Sequence, residues 1–207
     1  MAETDIASAE ASDLKNAMTD FSVPTASTEG PADQKETEHQ IKSWTQRLGY
    51  YKKIPELKRA IDAKATWTVG KGFTADEETT MLLDSIKGNG FDTFNTIIEN
   101  AIRTYHIGGS NFIQIIRDDE ENLLNLKPLD PDTMSTFSDR QGMIIRFEQR
   151  SKVKLPNKKF KPEEILYFPR NRLADEILGQ SLIEELETII LMRNEAMDDW
   201  KRVLHRN

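Results

Sequence analysis

Six cations fall within residues 150–161, RSKVKLPNKKFK: Arg150, Lys152, Lys154, Lys158, Lys159 and Lys161. Charge at that density suits phosphate, because each lysine or arginine that neutralises a phosphate releases counterions and adds salt-dependent affinity. The segment is not interleaved with the aromatic series that stacks unpaired bases. These six side chains are the candidate nucleic-acid contacts of the chain. The competing reading is an exposed hairpin loop or a loop that meets another subunit.

Other stretches invite chemistry and do not support it. Gly70-Lys71-Gly72-Phe73-Thr74 has the composition of a phosphate loop. A P-loop needs G-x-x-x-x-G-K-[ST], and here the lysine sits between the glycines with no hydroxyl residue after it. Gly108-Gly109 follows a helix and precedes a strand, the reverse of a dinucleotide fingerprint. Asp118, Asp119, Glu120 and Glu121 are adjacent turn residues without the spaced pattern of a calcium loop. Asp130 and Asp132 flank Pro131 as turn-capping residues do. His39, His106 and His205 lie far apart, and neither G-x-S-x-G nor H-E-x-x-H occurs. No catalytic, cofactor-binding or metal site is expected, and no cofactor. A DNA-processing enzyme with dispersed catalytic residues is the weakest of the functional readings.

The elements that must position any site follow from period and punctuation. Pro55 opens a helix over 55–69 that Gly70 ends. Thr74 and Glu77 read as a T-x-x-E capping box for a second helix closed by Gly88. Phe94, Ile97, Ile98, Ala101, Ile102 and Tyr105 form a helical stripe stopped by Gly108-Gly109. The period then changes. Residues 111–117, NFIQIIR, are apolar on both faces, as a covered strand requires. Residues 118–122 form the turn and 123–129 the return strand, which Pro128 pushes toward an edge. Residues 133–137 and 143–149 make another hairpin, with Gly142 free to take positive φ. Residues 150–161 read as a basic loop and 165–168 as a short strand. Ser181 and Glu184 then cap a long amphipathic helix, striped by Leu182, Leu186, Ile189, Ile190, Ala196, Met197, Trp200, Val203 and Leu204. At about 25 residues it would span almost 40 Å, and it is still amphipathic where the sequence stops. The expectation is a chain cut off in mid-element.

Charge is uneven. The 207 residues carry a net charge of −7. Residues 1–40 hold nine acidic and two basic residues, so the whole excess belongs to that segment and the remainder sums to zero. The segment is rich in Ala, Ser, Thr, Asp and Glu, too poor in apolar area to offset its ordering entropy, and reads as a disordered acidic tail. It has neither the basic nor the apolar region of a secretory signal. No run approaches the roughly 18–20 apolar residues of a membrane span. With no cysteine, a disulfide framework and thiolate metal sites are excluded.

In order along the chain, several of these passages resemble the portal proteins of tailed viruses. The strand SNFIQIIRD follows a glycine-stopped helix. A return strand ends in Leu126-Lys127-Pro128-Leu129-Asp130-Pro131. Pro162-Glu163-Glu164-Ile165-Leu166-Tyr167-Phe168 matches the family's P-E-x-[IL] strand. Asp175 to Glu184, DEILGQSLIE, resembles in its G-x-S-x-[IL]-E part the family's element opening a long helix. The resemblance covers residues 41–207. It implies an α+β fold, with helices packed on a small antiparallel β layer like a portal wing. Residues 41–180 would form that wing-like domain and 181–207 the long helix leading toward a stem region. It implies a non-enzymatic subunit of a homo-oligomeric, dodecameric ring at one capsid vertex, assembled in the host cytoplasm and carried in the virion. Its partners would be the terminase large subunit, the major capsid and scaffold proteins, a head-tail adaptor, and double-stranded DNA in the channel, with no membrane. Clip and tunnel-facing elements, expected further along, are missing from this sequence. A head-tail adaptor or minor capsid protein is the alternative.

Overall fold

The computed structural model describes residues 36–151 and 156–205. Four helices, two antiparallel sheets and a terminal helical pair follow in order. They are β1 (Thr37–Gln40), α1 (Trp44–Lys53), α2 (Pro55–Val69), α3 (Glu77–Ser85) and α4 (Phe94–Gly108). Then come β2 (Ser110–Arg117), β3 (Leu123–Pro128), β4 (Met134–Ser138), β5 (Ile144–Gln149), β6 (Lys158–Phe160) and β7 (Ile165–Pro169). The series closes with α5 (Leu182–Glu185) and α6 (Glu187–Leu204). The class is α+β, as the sequence implies. Its β layer is two sheets, of order β1-β4-β5-β6 and β3-β2-β7.

β2 is the centre of the molecule. It pairs antiparallel with β3 on one side and β7 on the other. Side chains of a strand alternate between faces, so Phe112 and Ile113 look in opposite directions, and both are buried. Phe112 joins Met134, Phe147, Phe160 and Ile165 between the two sheets. Ile113 joins Leu126, Ile97 and Ala101 beneath α4. Each fully covered side chain of this kind contributes about 1.5–3 kcal/mol relative to exposure. The two-faced apolar run therefore specifies a strand covered on both sides, and Pro128 lies on the outer strand β3.

A third core is purely helical. Trp44, Ile54, Leu57, Ile61, Ile107, Ile183 and Ile190 pack together from α1, α2, α4, α5 and α6. The long C-terminal helix therefore meets other helices, where the sequence stripe suggested a seat on the β layer. It is also not continuous. Leu186 takes φ −99° and ψ 0° between α5 and α6. Of its stripe, Ile190 is buried, while Ile189, Met197, Trp200, Val203 and Leu204 are exposed. Only half of its capping box forms. The Ser181 hydroxyl accepts from the amides of Ile183 and Glu184. The Glu184 carboxylate goes instead to Arg47, at 2.6 Å.

Three further expectations change. Residues 37–40, counted with the acidic tail, form β1, paired with β4. Its side chains help: His39 Nε2 lies 3.0 Å from Ser138 Oγ, and Gln40 donates to Ser135 Oγ. The rest of that segment, residues 1–35, lies outside the described residues. The cap of α3 is Asp76, whose carboxylate accepts from the Thr79 amide, and not Thr74. The basic segment is partly a strand, β6, paired with β5. At the start of α4 the Thr93 hydroxyl accepts from the Thr96 amide.

Candidate functional site

The basic segment begins where β5 ends. The Arg150 amide donates to the Thr133 carbonyl at 2.7 Å, fixing the strand end. Its guanidinium reaches Gln40 Oε1 at 3.3 Å and the Asp132 carbonyl at 3.4 Å. In β6 the inward residue is Phe160, which is buried opposite Phe147. Lys158 Nζ lies 4.8 Å from the centre of the Phe160 ring. Lys159 sits opposite Glu148, with Nζ 3.8 Å from its carboxylate. Lys161 caps a short 3-10 turn, with Nζ 3.5 Å from Glu163. Lys152 and Lys154 lie outside the described residues. The structure thus gathers Arg150 and Lys158 on one cleft of about 470 Å³, with Asp130 and Gln149 among its other walls. Each of the four described cations has a neighbour within the chain, and all four remain exposed. They can offer charge to a phosphate, but their cleft contains a carboxylate as well.

Glu148 explains part of this local order. It is buried and bound by Arg146 at 2.7 Å, and Arg146 also holds Glu36 at 2.7 Å and lies over the Phe137 ring. The hydrogen bonds that Arg146 donates to Glu36 and then to Glu148 raise its pKa. A buried carboxylate left unpaired would be costly. Arg146, its close partner at 2.7 Å, meets that requirement, and Lys159 at 3.8 Å only adds to it.

The acidic stretches are turns. Asp118 Oδ1 accepts from the amides of Glu120 and Asn122. The Asn122 amide is the main cause that holds the Asp118 carboxyl below its ordinary range. Asp130 Oδ1 accepts from the Asp132 amide. Among the described residues no three His, Asp or Glu side chains are placed to hold a metal ion. His39 and His106 are far apart on different elements, and burial lowers the pKa of both. Gly70 ends α2 and Gly72 takes φ 96°, so that glycine pair is a helix stop.

The densest polar construction lies elsewhere, where the G-x-S passage, Gly179 to Ser181, crosses the start of β2. The Arg170 amide donates to the Gly109 carbonyl at 2.7 Å, and the Gln180 amide donates to the Arg170 carbonyl at 2.8 Å. The Gly179 amide donates to Ser110 Oγ, Ser181 Oγ donates to the Ile107 carbonyl, and Tyr167 donates to the Ile177 carbonyl. Arg170 is 7% exposed. Its guanidinium binds the Gln180 carbonyl at 3.0 Å and Glu185 at 2.7 Å. That bond is the chief cause that holds the Glu185 carboxyl below its ordinary range. Burial pushes the Tyr167 phenol up to about 12. Ser181 does two jobs, capping α5 and tying it to the end of α4. Arg170 carries no motif in the sequence. The nearest signal is its place just after an apolar strand.

No family model matches the chain, and no curated protein does. Solved structures do. A chain in the neck of a native gene transfer agent particle, computed with C12 symmetry, matches with a TM-score of 0.68 at 16% identity, over 81% of this chain and 46% of that one. A chain in the virion of a native gene transfer agent particle matches at 0.67 and 15%, over 95% and 51%. One in the neck of an empty particle, computed with C6 symmetry, matches at 0.70 and 15%, over 85% and 50%. The chain therefore spans about half the length of the structures it matches. Its fold is the one found in these neck and virion chains.

Proposed function

We propose that this chain is part of a portal, the connector subunit that closes into a ring at one vertex of a tailed-virus-like capsid. The observation that carries the reading is the fold shared with chains in particle necks of C12 and C6 symmetry. The portal-like passages of the sequence fall on elements that this fold uses: the strand SNFIQIIR is its central β2, and G-x-S is the crossing that joins β2 to α5. In this role the chain performs no chemistry of its own. It supports head assembly, docks the terminase large subunit and later a head-tail adaptor, contacts major capsid and scaffold proteins, and encircles double-stranded DNA during packaging and ejection. Rings of this kind close by head-to-tail contacts between unlike surfaces. Arg150, Lys152, Lys154, Lys158, Lys159 and Lys161 would offer charge to the DNA backbone.

Labelling purified particles tests this directly. An antibody to this chain, gold-labelled and imaged on intact particles, should mark one vertex per particle. Label spread over the shell, or absent from particles, would overturn the reading.

A further inference from the structure

Phe91 stands fully in solvent, at 101% exposure, in the turn between α3 and α4. A single exposed apolar side chain is ordinary. This one sits on a loop built to hold it. The Lys87 carbonyl accepts from the amides of Gly90 and Asp92 at 2.7 and 3.1 Å. The Asp92 carboxylate accepts from the Asn89 amide. Asn125 of β3 reaches across, accepting from the amides of Lys87 and Gly88 and donating to the Gly88 carbonyl. Gly88 and Gly90 take φ of 54° and 111°. A Cβ on Gly88 would meet the Asp92 carboxylate at 2.5 Å. A tightly bonded loop presents an aromatic ring without the entropy loss that a flexible one would suffer on docking. The helix before it, α3, buries none of its residues and leaves Met81 and Leu82 exposed.

The same chain carries a receptor for such a ring. Thr68, Ile98, Ile102, Tyr105 and Phe168 line an apolar cleft of about 360 Å³ between α2, α4 and β7. A cleft of this size has room for an aromatic side chain. Tyr105 and Phe168 are the aromatic residues of its lining. Phe91 does not fill the cleft of its own chain, since it stands in solvent. Phe91 precedes α4, and Ile102 lies about 12 Å along the helix from its first residue at about 1.5 Å per residue. Charge agrees with a contact between copies. Asp76, Glu77, Glu78 and Asp84 lie on α3 or at its cap, with Lys87 in the loop after it, and Lys64 stands at the adjoining lip of the cleft beside Thr68 and His106.

We propose that Phe91 of one copy seats in the Thr68–Ile102–Phe168 cleft of the next. This is a head-to-tail contact between unlike surfaces, and it rests on the ring-subunit reading above.

The absence of cysteine permits a clean test. Phe91→Cys and Ile102→Cys are placed in one chain and oxidised, with Phe168→Cys as the second receptor variant should Ile102→Cys fail to fold. Disulfides form only when Cα atoms come within about 7 Å, so the pair should cross-link at least about tenfold faster than a Phe91→Cys, Met143→Cys control. The double variant should give a ladder of oligomers. A mixture of the two single variants should stop at the heterodimer. Oligomers that sediment normally but show no excess cross-link would overturn this contact, assign Phe91 to another partner and leave the ring reading standing. A parent chain that is itself monomeric would overturn both, whereas Phe91→Cys monomers from an oligomeric parent would support the contact.

Discussion

Gly109 and Gly179 lie backbone against backbone. A Cβ on Gly109 would meet the Gly179 carbonyl oxygen and approach the Gln180 carbonyl carbon at 2.7 Å. One on Gly179 would meet the Gly109 carbonyl oxygen and the Arg170 amide. Gly109 also takes φ 83°. Here the end of α4, the exit of β7 and the entry of α5 cross with no side chain between them. This crossing sets where α5 begins.

Gly109→Ala should therefore destabilise the chain by more than about 2 kcal/mol, combining a left-handed backbone with a steric clash. Gly179→Ala should do so by clash alone. Gly49→Ala is the control. It lies within α1 with open space around its Cβ, and should be neutral or stabilising by about 0.5–1 kcal/mol. Urea midpoints with unchanged slopes check all three.

Arg170→Met should leave the Gln180 carbonyl and Glu185 without their partner and cost about 1–3 kcal/mol. The pH dependence follows from Glu185. Its carboxyl is held below its ordinary value, so its stabilisation is present above the unfolded-state value and lost as pH falls through the lowered one. Glu185→Gln should flatten that acid limb. An unchanged limb would remove Glu185 from the account.

His39 and His106 both resist protonation in the fold, chiefly through burial. Below about pH 6.5 the unfolded chain takes up protons that the folded chain refuses, so stability should decline as pH falls from that value. A His39→Gln, His106→Gln variant should lose this slope. Denaturant titrations at a series of pH values read it.

Ile113→Asp should abolish soluble expression, because a carboxylate would be forced under α4 with no partner. The apolar pattern alone points equally to Ile115. The structure leaves Ile115 half-buried, so Ile115→Asp should cost less. Equal behaviour of the two variants would contradict the register of β2.

Lys158→Glu with Lys159→Glu should leave the fold within about 1 kcal/mol of the parent, since both side chains are exposed and Glu148 keeps Arg146. Should the segment contact phosphate in the ring, the salt slope of double-stranded DNA binding falls by about 2. An unchanged slope assigns these lysines to the hairpin alone.

What the sequence made legible was periodic and local. β2 could be read because both its faces are apolar, and α4 because its stripe and the Thr93 start agree. β1 and β6 could not. TEHQ and KKF have no apolar alternation, and they join the sheet through backbone pairing and polar partners such as Ser138, Ser135 and Glu148. The break at Leu186 has no glycine or proline to announce it. Gly109 and Gly179 each signal a local stop, but that they stop against each other is a contact far apart in sequence. The Phe91 loop shows its glycines plainly. Its clamp, Asn125, belongs to a different hairpin.

The ring proposed for this fold is a matter of assembly. Native mass measurement and negative-stain imaging of the chain within its complete reading frame test it most directly. The account predicts closed particles of a single subunit number with a central channel, lost when Phe91 is replaced by Asp while the fold is retained. A monodisperse monomer at all concentrations, or open aggregates without a channel, would contradict it.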